Sequence, residues 1–125
     1  MEGPQVTLPK EVNVSKKEGP DFLLYYFTGP RKQVLFAYVG FAPSFPDGIP
    51  KSVKPRKGEI NSMEETTYSW KRNKTQFFRE TLIKTGRHDF AEYVHFSYSR
   101  LNASEAKVSD AIIASTLRSA QKPQP

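Results

Sequence analysis

Two stretches, Phe22-Leu23-Leu24-Tyr25-Tyr26-Phe27 and Val34-Leu35-Phe36-Ala37-Tyr38-Val39-Gly40, are apolar at nearly every position. Such runs predict strands of a sheet covered on both faces. The short Gly29-Pro30 connection makes them antiparallel neighbours. Before them, Val6-Thr7-Leu8 and Val12-Asn13-Val14-Ser15 read as a short extended opening, with Pro9 at an edge position. Residues 16–21 read as a turn, because Gly19-Pro20-Asp21 punctuates the chain. The pattern then collapses over 41–59, where Pro43, Pro46, Pro50 and Pro55 interrupt helix and ladder alike. A short helix is expected within 58–65, around Ser62-Met63-Glu64-Glu65. Residues 66–70 and 76–84 read as strands, and 85–88 as a turn. Along 89–99, Phe90, Val94, Phe96 and Tyr98 share one face while Tyr93, His95 and Ser97 share the other. That is the period of two expected of a strand. A helix closes the chain. Asn102 caps it, with Glu105 three residues on in a capping-box arrangement. Val108, Ala111, Ile112 and Ser115 form one helix face, and Ala106, Ile113 and Leu117 lie toward another. Residues 120–125 read as a polar tail.

Several strands followed by one helix predict an α+β domain, a twisted antiparallel sheet with the C-terminal helix packed on it. The length of 125 residues fits one domain, with an ordered core over about 5–119. Hydrophobic residues make up 37% and charged residues 26%, a globular composition. No apolar run approaches the roughly 18 residues of a membrane span. Cysteine is absent, which excludes disulfides, thiolate zinc sites, iron–sulfur clusters and Cys nucleophiles. With two His and scattered carboxylates, neither a zinc site nor an EF-hand loop is expected, and no phosphate-binding glycine motif occurs. No cofactor is therefore expected. Met1-Glu2-Gly3-Pro4 carries no signal peptide, so an exported chain would have lost its leader, and a cytoplasmic one would need none. The sequons at Asn13, Asn73 and Asn102 matter only in a eukaryotic secretory setting.

The opening pair around Leu8-Pro9, the Gly-Pro-Asp-Phe step, the strand ending in Tyr38-Val39-Gly40, the Tyr-rich strand at 93–99 and the final helix around Asp110-Ala111-Ile112-Ile113-Ala114-Ser115 follow one another in a telling order. That order resembles the PsbP-like α/β/α sandwich, named for an extrinsic photosystem II protein and shared with a Ran-binding nuclear import factor. It is similar to periplasmic immunity proteins of bacterial type VI secretion built on that fold. The resemblance spans most of 5–119 and implies a protein that binds and silences an effector enzyme. It assigns no functional residue, because the basic loop at Lys51–Lys57 matches no pattern of the family.

Candidate chemistry is sparse. Ser97 and His95 share a strand face, with Asp89 near the turn, but no strained-turn nucleophile motif is present. Glu80 and Glu92 could face each other across the Gly86 hairpin, adjacent Glu64 and Glu65 project in different directions, and the favoured reading of these carboxylates is a solvated charged face. No catalytic, cofactor or metal residue is assigned, and the expectation is a non-enzyme.

Charge points elsewhere. Nineteen Lys and Arg against thirteen Asp and Glu give a net charge of +6. Lys51, Lys54, Arg56 and Lys57 make the second half of the proline-rich loop basic, and Arg87 and His88 sit at the later turn. Phe41, Phe45 and Ile49 either tuck onto the sheet or protrude as anchors. Six Tyr, nine Phe and one Trp exceed what a core this size needs, so some are expected at the surface, where binding hot spots favour them. The contact set expected for an acidic partner protein is Phe41, Phe45, Lys51, Lys54, Arg56, Lys57, Arg87 and His88, in an exported, periplasmic setting. The alternative is a nucleic-acid surface of Lys51, Lys54, Arg56, Lys57, Lys71, Arg72, Lys74 and Arg79, with Tyr68 and Trp70 for stacking.

Overall fold

The computed structural model describes residues 12–19, 22–29, 33–40, 48–60, 63–86 and 92–119. Phe41, Phe45, Arg87, His88 and Asp89, the opening before Val12 and the tail 120–125 lie outside them. The elements are β1 (Asn13–Glu18), β2 (Phe22–Thr28), β3 (Gln33–Gly40), β4 (Arg56–Ile60), β5 (Met63–Arg72), β6 (Gln76–Lys84), β7 (Tyr93–Leu101) and α1 (Ala103–Ser119). The strands form one antiparallel sheet in the order β1-β2-β3-β7-β6-β5-β4. The last strand thus inserts between β3 and β6, and β4 takes the far edge. This is the α+β class.

Alternation decides which face is which. The register aligns Tyr25, Ala37, Phe96, Thr81 and Thr67 across five strands, and Leu23, Val39, Val94, Ile83 and Glu65 beside them. Helix α1 lies on this face, over β7, β3 and β6. Its buried stripe is Ala106, Ser109, Ile112, Ile113 and Thr116, a spacing of three and one that repeats on a single side of a helix. Ala111, expected inside, is exposed, and Val108 is half-buried. Apolarity misplaced the stripe because two of its members, Ser109 and Thr116, are polar. Thr116 satisfies its hydroxyl by donating to the Ile112 carbonyl at 2.9 Å.

The end of β7 needs a correction to stay in phase. Arg79 lies opposite Tyr98, but Phe77, two residues away, lies opposite Leu101, three residues on. Arg100 takes up the extra residue at φ 56°. The bulge turns Leu101 onto the helix face, where it is 1% exposed. Asn102 follows at once as the cap. Its Oδ1 accepts from the Glu105 N–H at 2.8 Å, and its own N–H donates to Glu105 Oε1 at 3.0 Å. The capping box is formed as expected.

Other expectations are corrected. β1 runs through Lys16, Lys17 and Glu18, which are strand and not turn, and Gly19 N–H donates to the Phe22 carbonyl at 3.0 Å. Residues 58–60 and 63–65 are strand, not helix. They belong to the β4–β5 hairpin, in which Ile60 lies opposite Met63. The proline-rich loop therefore ends at Pro55, and β4 is a strand of charged, exposed residues whose edge position requires no apolar alternation. β5 begins at Met63 rather than Thr66. β7 begins at Tyr93, with Glu92 in the bend before it. Replacing Asn102 with Ala removes the Oδ1 acceptor of the Glu105 N–H and leaves only the backbone half of the box, and urea denaturation should show a loss of about 1 kcal/mol.

Candidate functional site

The helix-free face carries the candidate catalytic residues. Glu80 on β6 lies opposite Ser97 on β7, and His95 lies opposite Leu82. Glu80 and His95 are 5% and 8% exposed. Ser97 Oγ donates to Glu80 Oε2 at 2.8 Å, and His95 Nε2 lies 2.8 Å from Glu80 Oε1. The carboxylate therefore stands between the two. A nucleophile–base relay needs serine on histidine, whereas here the serine proton is held by the glutamate. Glu80 does not face Glu92. Thr85 N–H donates to the Glu92 carbonyl at 2.9 Å, five residues from Glu80 and about 17 Å along the strand.

Around this cluster the face is aromatic. Phe22 stacks on Tyr38 with centroids 6.2 Å apart, and Tyr26 meets Phe36 at 5.4 Å. Tyr38 lies over Gly40, where a Cβ would collide with its ring. These side chains are half-buried, not exposed, so the expected aromatic hot spots are mostly spent on covering each other.

The helix face holds a second polar cluster. Arg79 Nε donates to Thr81 Oγ1 at 2.8 Å, and Thr67 Oγ1 donates to Glu65 Oε2 at 2.9 Å. The Thr67 and Thr81 hydroxyls are 2.9 Å apart. Because Thr67 spends its proton on Glu65, Thr81 is the donor between them, and all bonds run one way from guanidinium to carboxylate. Arg79 Nη1 also donates to Asp110 Oδ1 at 2.9 Å, and the Tyr98 hydroxyl donates to the same oxygen at 2.9 Å. Arg79 thus leaves the basic surface proposed for nucleic acid. Period-two alternation carried the signal: Glu65 and Arg79 occupy inward positions on their strands. Burial first, and the Asp110 carboxylate second, push the Tyr98 phenol above its ordinary value of 10.0, against the opposing effect of Arg79.

A cavity of about 40 Å³ lies on this face, between Thr116 on α1 and Tyr25 and Phe27 on β2. Its walls are mostly apolar, and the sheet separates it from Glu80 and His95, which lie on the opposite face. Among the described residues no three potential metal ligands cluster, and no helix is long and apolar enough to cross a membrane.

The remaining expected residues, Lys51, Lys54, Arg56 and Lys57, are all exposed. They lead into and form the start of edge strand β4. Gly40, where β3 ends, is four strand spacings from β4, about 19 Å. At the same end of the sheet as Arg56 is the β5–β6 turn with Lys71, Arg72 and Lys74, also exposed. Exposed acids gather at the other end of the hairpin, where Glu59 lies opposite Glu64. Arg56 is 3.9 Å from Glu65, a loose contact at 74% side-chain exposure. In the turn, Thr75 N–H donates to the Arg72 carbonyl at 3.2 Å, and Asn73 and Lys74 have φ of 54° and 60°. Asn tolerates that conformation. Lys pays about 1 kcal/mol or more for it. Nearby, Trp70 Nε1 is enclosed and has no acceptor among the described residues, where an unmet donor costs about 1–3 kcal/mol.

No protein-family model matches the chain, and neither a curated protein nor a solved structure matches it.

The raised Tyr98 sets a sign. The unfolded chain ionises this phenol near 10, while the folded chain keeps it protonated. Its contribution is complete below pH 10 and is lost as pH rises beyond it. Urea midpoints should fall between pH 9 and pH 11, and Tyr98→Phe should flatten part of that fall. Glu80→Ala removes the acceptor of the Ser97 hydroxyl and one partner of His95, and should cost about 2–4 kcal/mol, with Glu80→Gln costing less in the same denaturation series.

Proposed function

We propose that this chain is a non-catalytic protein-binding domain that docks an acidic partner against the basic end of its β4–β5–β6 region. The observation that supports this best is the gathering of Lys51, Lys54, Arg56 and Lys57 with Lys71, Arg72 and Lys74 at one end of one sheet edge. Cations so placed raise the rate of encounter with an acidic surface and orient it. The buried charges, by contrast, are matched within the fold and present little to a substrate.

In its finer form, the reading is a PsbP-like immunity protein that covers the active site of an effector enzyme in an exported setting. This finer form rests on the resemblance stated from the sequence, and a cysteine-free chain suits an oxidising compartment.

The test is capture from the native host, followed by binding kinetics with the purified partner. A single acidic protein held in stoichiometric amounts is expected. The combined Lys51→Ala, Lys54→Ala, Arg56→Ala, Lys57→Ala variant should slow association about tenfold at low salt, a difference that narrows as salt rises. An unchanged rate in a folded variant, or nucleic acid in place of protein in the eluate, overturns the reading.

A further inference from the structure

β5 pairs with β6 through Arg72, but with β4 only through Thr67. The stretch Tyr68–Arg72 and its turn therefore run on past the edge strand, by five residues or about 17 Å, while on the other side β7 still pairs with β6 as far as Phe77, so that only the turn clears both neighbours. This overhang is braced from within. Trp70 stacks on Phe78 with centroids 5.2 Å apart and planes 6° off parallel. The Arg72 guanidinium lies 5.0 Å from the Phe78 centroid, and Lys71 Nζ lies 6.0 Å from that of Phe77. Arg72 and Lys71 occupy opposite faces, so the tip carries a ring-seated cation on each side and Lys74 at its apex.

Two features of the tip run against stability. Lys74 holds the left-handed conformation that glycine would adopt freely, and the Trp70 indole N–H is enclosed without an acceptor among the described residues. Strain concentrated in a projecting, charged element points from geometry to use. Among the described residues no carboxylate pairs with Lys71, Arg72 or Lys74. Seating cations on rings also reduces the freedom they lose on binding.

We infer that the β5–β6 tip is the part of the docking surface that enters the partner: it inserts into an acidic protein cleft, with Lys74 meeting carboxylates at its floor and Lys71 and Arg72 meeting those on its walls. This rests on the protein-binding reading above and names the element that makes the contact.

The experiment is an amide-shift titration of the full, isotope-labelled chain with hexaglutamate as an acidic-protein probe and a dodecathymidylate as a nucleic-acid probe. Saturable shifts over 71–75 with hexaglutamate are expected. Lys74→Gly should weaken them about three- to fivefold while melting no lower than the parent, and Lys74→Arg should retain them. Hexaglutamate shifts confined to 51–57, or full binding by Lys74→Gly, remove the tip from the interface but leave the protein-binding reading standing. No response to hexaglutamate with binding of the dodecathymidylate overturns both.

Discussion

A guanidinium cannot sit beneath a helix unless anions come with it, and Arg79 sits there. Alternation on β6 aims it at the helix face between Phe77 and Thr81, where its side chain is 14% exposed. Leaving such a charge unpaired would cost several kcal/mol. The fold answers from two sides. Asp110 comes from the helix, and Glu65 comes from β5 through the Thr81 and Thr67 hydroxyls. The apolar contacts of Ile112 and Ile113 hold α1 to the sheet but leave it free to slide. Two short bonds accepted by Asp110 Oδ1, one from Arg79 and one from the Tyr98 hydroxyl, fix the helix's position along its axis. The capping box at Asn102 and the bulge at Arg100 then follow, because the chain must leave β7 in the phase that lands Asp110 on Arg79.

Much of this was legible where apolar period alone decides. β6 was placed at its observed bounds, the faces of β7 were sorted correctly, and the cap of α1 was read from two residues. β4 was lost because an exposed edge strand has no buried side to mark it: Arg56, Lys57, Gly58 and Glu59 carry no alternation at all. The adjoining Met63-Glu64-Glu65 then looked helix-tolerant, although Met63 and Glu65 both point inward. The helix stripe was misread because Ser109 and Thr116 are buried polar residues. The Glu80 cluster shows the limit most clearly. His95 and Ser97 were placed on one face, but their partner depends on the register between β6 and β7. A shift of five positions separates Glu80 beside Ser97 from a pairing with Glu92.

The interior networks also shape the surface. Glu65, Asp110 and Glu80 are occupied within the fold and add little to the outer field. What remains on β4–β5 is polarised: Glu59 and Glu64 face each other at one end, a repulsion eased by Lys84 opposite Glu64, and the cations stand at the other. A net charge of +6 spread evenly would attract acidic molecules without orienting them. The same charge separated along one hairpin turns an approaching acidic surface toward the end where β5 outruns β4. The recognition argued for this domain therefore depends less on how many cations it has than on a register that leaves part of them projecting.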